Sequence, residues 1–390
     1  AAGGSGAGVG EAFSPLIGVF GPTFSAYEIV AAFLLPFVAI RMVSADRMSG
    51  AAKLEAQQPL PALARISIKA LVLLAGWMLS ALPGVLALIL WRSYGGSIHM
   101  PEIAAIVLGH LLNAGLTVAL AACAASVAEH PATAAILTLA FTVGTWVLDF
   151  VAAVHGGIWA RLVEYTPPAI VAQFQHGLVR LDVLFVGLAC IVTGLVVAAE
   201  WMQTGAPVST RAARSLAVAV TAAGLAFLGS RATPSFDLSE NRYNSFSIAE
   251  EAALRRLPGP LSVEARLAPS DPRRYELERR VLGKLMRVRP DTRVVWSAET
   301  STGLFEQAAD RYGEVWYELA GRRVMSRDTS PEGVLETLFT LADVTVGGET
   351  EPVFRGHPLA ARPTGAATLF HLVWPALVLG AGLLFFRSQP

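Results

Sequence analysis

The stretch Arg41–Pro61, RMVSADRMSGAAKLEAQQPLP, decides how the chain is read. It carries charges at Arg41, Asp46, Arg47, Lys53 and Glu55 and holds two prolines, Pro59 and Pro61. An apolar run flanks it on each side, each of about 20 residues or more, the length a helix needs to cross a bilayer. A polar turn between two such runs reads as the mouth of a pair of spans. Basic residues near span ends indicate which side that mouth faces.

Composition supports a membrane class. The 390 residues are 54% hydrophobic and only 15% charged, with a mean hydropathy of +0.52, too apolar for an ordinary soluble chain of this size. The net charge of zero argues against a nucleic-acid partner. Charge is unevenly placed. Residues 231–362 hold 19 of the 30 Lys+Arg and 20 of the 30 Asp+Glu, so this third of the chain reads as a water-soluble module. The two cysteines, Cys123 and Cys190, lie inside apolar runs and read as packing residues.

Seven spans are expected, near 24–44, 66–92, 102–127, 133–154, 181–201, 213–230 and 366–386. Pro36, Pro83 and Pro375 fall inside spans, where neighbouring helices can satisfy the freed backbone groups. Lys and Arg concentrate at the odd junctions, with Arg41, Arg47, Lys53, Arg65 and Lys69, then Arg211 and Arg214, then Arg387. The even junctions carry Arg92, Arg161 and Arg180. The bias places 41–65 and the C-terminus in the cytoplasm and 231–362 outside. Residues 1–23 then form a flexible extracytoplasmic segment, and an eighth, N-terminal span is expected to precede residue 1. The expected fold is thus a polytopic α-helical membrane protein with a small extracytoplasmic α/β domain. Its parts are a transmembrane domain at 24–201, a linker and span at 202–230, the module at 231–362 and an anchor at 363–390.

The polar linker allows two readings. One is a solvated connection. The other is a short interfacial helix, capped by Ser49 or Asp46, carried by Lys53–Gln57 and ended by Pro59 and Pro61. Such a helix, laid across the mouths of two spans, can pass a push from a soluble partner to the membrane helices.

The stretch resembles the cytoplasmic coupling segment of type-2 ABC exporter permeases, of the gliding-motility and nitrous-oxide-reductase-maturation kind. Arg41, Asp46, Gly50, Leu54, Pro59 and Lys69 fall on that pattern, while Ala51, Lys53 and Glu55 replace the usual Thr, Glu and Leu. A second resemblance lies at 162–185, LVEYTPPAIVAQFQHGLVRLDVLF, on Thr166, Pro167, Phe174, Gly177 and Asp182. In the family this run forms a short external helix before a span. Its residues are amphipathic and too few to cross, with Trp159 and Tyr165 suited to headgroup depth; an ordinary loop is the plainer reading. The resemblance implies that Asp46, Arg47, Gly50, Lys53, Leu54, Glu55 and Pro59 meet a separate cytoplasmic ABC ATPase dimer that binds ATP and Mg. It also implies a homodimer of this chain. No P-loop of the form G-x-x-x-x-G-K-[ST] occurs in the sequence.

The module alternates strand and helix signals. LSVEARL (261–267) and TRVVWSA (292–298) read as strands, with a helix between them capped by Asp271 and opened by Pro272. Leu277, Val281, Leu285 and Val288 form its apolar stripe. EVWYEL and RRVMSR read as a hairpin or adjacent strands, and Ser330 with Pro331 opens a last helix. Ser247 with Glu250 is a capping box. The run Asp237, Leu238, Ser239, Glu240, Tyr243, Phe246 and Ser247 resembles the start of the auxiliary domain that accompanies gliding-motility permeases, here fused through 200–215. No hydrolase or metal motif stands out. His357 reads as a surface or core histidine, and Trp296, Trp316 and Tyr317 as strand packing or, less simply, an aromatic ligand patch.

Charges within spans are functional candidates by default. Glu28 and Asp149 lie near outer span ends, where they reach headgroup water or line an opening. His110 and Asn113 share a helix face, suited to interhelical hydrogen bonding or to substrate. The expectation is the permease subunit of an ABC transporter in a bacterial inner membrane, with lipid around it. It would drive export, or pass force to an extracytoplasmic protein. A static membrane scaffold or receptor is the rival.

Overall fold

The computed structural model describes residues 21–155, 157–203, 205–231, 234–240, 242–268, 271–297, 311–344 and 363–387. His357 and the first 20 residues lie outside them. Among the described residues seven helices are long and apolar enough to cross a membrane, at Tyr27–Ser49, Ala62–Ser93, Met100–Val127, Pro131–Ala152, Leu181–Met202, Val208–Gly229 and Leu369–Arg387. Each falls on a run expected from hydropathy.

The helical elements begin with α1 (Gly21–Ser49), α2 (Ala51–Glu55), α3 (Ala62–Ser80), α4 (Leu82–Ser93), α5 (Met100–Val127) and α6 (Pro131–His155). The second long run is not one straight helix. It breaks at Ala81, with Pro83 in the first turn of α4, where its missing N–H leaves no bond unmade. Short helices α7 (Gly157–Val163) and α8 (Pro167–Gln175) follow, then strand β1 (Leu178–Arg180) and the long helices α9 (Leu181–Met202) and α10 (Val208–Gly229).

The chain divides into two compact units. One draws on Ala1–Ala135, Gly194–Ser215 and Val353–Pro390, the other on Ile136–Thr193 and Leu216–Pro352. The first unit is held by small residues. Ala39 of α1, Ala121, Ala122, Ala124 and Ala125 of α5 and Ala198 and Ala199 of α9 are buried together around Ile40, Val43 and Ile66. Side chains this short let helix backbones approach closely, which is how helices associate where lipid removes the hydrophobic drive. Gly194 shows how close: a Cβ there would sit 3.0 Å from the Ala119 carbonyl oxygen of α5. Large apolar side chains point outward elsewhere, such as Leu216, Val220 and Phe227 on α10. That surface is of the kind a bilayer would cover.

In the second unit, strand β2 (Ser235–Asp237) pairs antiparallel with β1. A four-stranded sheet follows, built from β3 (Leu261–Ala265), β4 (Arg293–Trp296), β5 (Val315–Leu319) and β6 (Arg322–Ser326) in the order β4-β3-β5-β6. β3 and β4 are parallel, joined by α12, which runs Pro272–Glu276, Leu277–Leu282 as a π-helical turn, and Gly283–Val288. The other pairs are antiparallel. Helix α11 (Ile248–Arg256), α12 and α13 (Pro331–Leu341) carry the helical share of the core. Leu254, Val263, Leu277, Val281, Leu285, Tyr317 and Leu338 are its buried centre, so the stripe read from the sequence does face inward. Tyr317 is core and not a ligand patch. Trp316 stands on the other face, with Arg323 stacked 4.6 Å from its ring. The expected caps form: the Ser247–Glu250 box closes with bonds of 3.2 and 2.8 Å, Asp271 accepts from the Arg273 N–H, and Ser330 accepts from the Gly333 N–H. The last helix, α14, runs through Pro363–Thr368, a π-helical turn at Leu369–Val373 and Trp374–Arg387.

The close α5–α9 approach makes opposite predictions for two helical glycines. Gly194→Val forces its side chain onto a backbone carbonyl that cannot yield, at a cost of about 1–3 kcal/mol. Gly224→Ala meets open space and gains up to about 1 kcal/mol of helix propensity. Thermal melting of the detergent-purified chain should fall for the first and hold or rise for the second.

Candidate functional site: an ion-paired turn between the first two long helices

Helix α1 continues to Ser49, through the polar stretch Ser44–Arg47. Gly50 stops it. Its φ of +80° is a left-handed conformation that side chains rarely adopt, and nothing lies within 4 Å of a Cβ built there, so backbone strain and not crowding selects glycine. The chain then forms α2, one and a half turns long, held by bonds such as Lys53 N–H to Gly50 O at 3.0 Å. Pro61, in extended conformation, opens α3. A short helix therefore does lie in the linker, but its capping differs from expectation. Gly50, not Ser49 or Asp46, stands at the N-cap position and offers no side chain. Ser49 still serves the turn: its hydroxyl donates to the Ala45 carbonyl at 2.7 Å and accepts a long bond of 3.4 Å from the Ala51 N–H, the first of α2, whereas Asp46 takes no part in capping.

Asp46 is used otherwise. Lys69, two turns into α3, donates to Asp46 Oδ2 at 2.5 Å and to Glu55 Oε2 at 2.7 Å. One ammonium thus joins the end of α1, the end of α2 and the start of α3. All three side chains are at most a third exposed, with Lys69 at 16%. This sets them apart from pairs such as Arg322–Asp343, where both partners are more than half exposed and the contribution is about zero to 1 kcal/mol. Arg47 turns the other way. Its guanidinium donates to the carbonyls of Ala125, Ser126 and Ala128 at 2.7–2.9 Å. These are the orphan acceptors at the C-terminus of α5, where a cation is also favoured by the helix dipole. Arg47 therefore holds α1 to α5.

The rest of the segment faces outward. Met48, Leu54 and Leu60 are exposed large apolar residues on a polar turn, with Lys53 and Pro59 exposed among them. Of the residues marked in the sequence, Asp46 and Glu55 are drawn together. Gly50 shapes the turn, Lys53, Leu54 and Pro59 form its outer surface, and Arg47 is structural. Lys69 falls on the family pattern read from the sequence but was not placed among the site residues. A lone lysine one or two turns inside an apolar run is the signal that could have found it, because it must have carboxylate partners. The four candidates within spans fare differently. His110 and Asn113 are buried on α5, with His110 packed against the rings of Trp77 and Phe24. Glu28 is half-buried on α1, and Asp149 is exposed on α6.

A second constellation lies within the other unit. The two motif stretches at 162–185 and 237–247 meet there. β1 pairs with β2, and the Leu238 N–H donates to the Gly177 carbonyl at 2.8 Å. Asn244 donates through its side chain to the His176 carbonyl at 2.6 Å, and its N–H reaches Asp237. Arg287 of α12 donates to the Asn244 carbonyl and Lys284 to that of Ser245, tying the loop to the sheet domain. Beside the ribbon, Arg180 bridges Glu164 and Asp182, each at 2.6 Å, and the Tyr165 hydroxyl donates to Asp182. Burial and the Asp182 charge push the Tyr165 phenol up to about 12, so it stays a donor. Burial pulls the His176 imidazole down, with Arg279 adding to the effect.

No family model, curated protein or solved structure matches the chain.

Lys69→Met leaves two carboxylates facing each other, half-buried and uncompensated. The expected loss is about 1–2 kcal/mol, read as a lower melting temperature and faster amide exchange over Gly50–Gln58. At the ribbon, Gly177 has φ +77° and a Cβ there would stand 2.9 Å from the Ser239 nitrogen. Gly177→Ala should cost about 1–3 kcal/mol and speed exchange at 178–180 and 238. Gly205→Ala, at φ +95° with open space, carries only the backbone strain and should cost less.

Proposed function

We propose that this chain is the membrane permease subunit of an ABC transporter, spanning a bacterial inner membrane and worked by a separate cytoplasmic ATPase dimer. The observation that carries the reading is the turn at 46–60. It presents exposed apolar side chains, Met48 at the end of the first apolar helix and Leu54 and Leu60 beyond it, and it is braced to both flanking helices through Lys69. A solvated connection needs neither feature. A lever needs both: a gripping surface, and a stiff link that turns its displacement into helix movement. The ATPase would hold ATP and Mg; on this chain Lys53, Leu54 and Pro59 would meet it, with Glu55 and Gly50 keeping the turn in shape. The chain would act as a homodimer.

The second constellation favours force transmission over simple export. The segment before α9 is pinned to the sheet module by a β-ribbon and by side chains from both. Movement of α9 at its N-terminal end therefore displaces the ribbon. In the orientation set by the basic residues, the module lies outside the cell and would pass the movement to an extracytoplasmic protein.

The test is co-purification with the Walker-motif ATPase encoded nearest to this chain, followed by ATP hydrolysis in reconstituted vesicles. Leu54→Glu alters only an exposed side chain and should cut chain-stimulated hydrolysis about tenfold or more while leaving the melting temperature unchanged. Glu55→Arg should uncouple as well. A purified chain that never recruits an ATPase, or variants with wild-type stoichiometry and activity, would favour the scaffold reading and end this one.

A further inference from the structure

Among the described residues, the sheet of the second unit has a free edge with a groove beside it. β6 pairs on one side only, with β5. The two strands are joined by the two-residue turn Ala320–Gly321, both with positive φ, a geometry that closes on a hydrogen-bonded pair. That pair is Leu319–Arg322. By the alternation of an antiparallel ladder, Val324 and Ser326 also bond to β5, whereas Arg323 and Met325 turn their N–H and C=O groups away from it. No backbone partner meets those groups among the described residues. Next to them lies an open groove of about 530 Å³, lined on one wall by β6 and on the other by Glu336, Thr337 and Thr340 of α13. An unpaired strand edge with a helix standing off from it leaves room for one more extended backbone and selects for it by hydrogen bonding.

Charge narrows the occupant. RRVMSR, 322–327, carries three arginines and no acid. Each arginine is about half exposed or more and already has a partner: Arg322 pairs with the exposed Asp343 and donates to the Leu341 carbonyl at the end of α13, Arg323 pairs with the partly buried Glu264, and Arg327 lies 3.8 Å from the largely buried Glu314. The Arg322–Asp343 pair is at the surface and weak, and all three arginine side chains stay open to a further carboxylate. A second copy of the chain fits poorly. Pairing β6 with β6 about a two-fold axis would gather four arginines, with Arg327 of each copy just beyond and no acid in either strand, and like charges across strands are destabilising. We propose that the β6 edge is a docking site for an extended acidic segment of another protein, added as a fifth strand between β6 and α13. This does not depend on the transporter reading.

The experiment uses the full chain in detergent micelles and a fluorescein-labelled heptapeptide alternating valine and glutamate. Fluorescence anisotropy should show saturable binding. An analogue with the same side chains but N-methylated at alternate amides should bind at least tenfold more weakly, because its backbone cannot complete the ladder. Met325→Pro removes one outward N–H and no bond to β5; it should weaken the parent peptide about tenfold at unchanged melting temperature. Arg323→Glu should do likewise, and binding of a lysine-for-glutamate peptide to that variant should improve. Equal binding of the N-methylated peptide, or no binding of the parent at millimolar concentration, overturns the proposal. So does efficient disulfide cross-linking of two Met325→Cys copies that the peptide fails to suppress, which would assign the edge to self-association.

Discussion

Lys69 holds the first unit's geometry at one point. Its ammonium donates to carboxylates 23 and 14 residues earlier in the chain, so three helix ends that share no backbone hydrogen bonds share one charge. A cation so close to an apolar run is costly without partners and nearly as costly with only one. Two carboxylates over-compensate it and are themselves partly withdrawn from water. The two ion pairs therefore favour the arrangement of the turn at 46–60 in which all three side chains meet. Gly50 makes that arrangement reachable by the backbone, and Arg47 anchors α1 by filling the carbonyl end of α5. Below this, the alanine-lined contacts of α1, α5 and α9 supply packing. A push on the outer face of α2 would meet a brace and not a hinge.

The second unit is built on a different principle. Its sheet domain has an ordinary apolar core, with Leu277, Leu285, Tyr317 and Leu338 buried between one sheet face and three helices. What is unusual is the link to the short helices before α9. A two-stranded ribbon would be marginal alone. Here it is reinforced by side chains that reach backbone acceptors, Asn244 to His176 and Arg287 to Asn244, and by the Arg180 bridge at its end. Backbone acceptors cannot move away as a side-chain partner can. A connection of this type suits a joint that carries load, and it ends where α9 begins.

Much of this was legible in the residues because the signals are local. A run of about 20 apolar residues reads as a long helix whatever surrounds it, and all seven were placed. Ser247 with Glu250, Asp271 before Pro272 and Ser330 before Pro331 are caps that act within one turn, and each forms. The failures were those of reach. Asp46 carried the right chemistry for capping α2, yet Gly50 took the N-cap position, Ser49 kept only a long bond to the Ala51 N–H, and Asp46 found its partner on α3. Trp316 and Tyr317 are neighbours in sequence but stand on opposite sheet faces, so they could never form one patch.

The amino-acid order by itself determined the long helices, the strands of the four-stranded sheet and the apolar face of its main helix, because these follow from the spacing of side chains along a single backbone. Only the tertiary structure decided that Lys69 serves two carboxylates, that Gly177 must admit the Ser239 backbone, and that the stretches at 178–180 and 235–237 lie side by side. Those are pairings between residues far apart in the chain. Several partners of suitable chemistry exist for each, and the choice among them is made by the packing of all the elements at once.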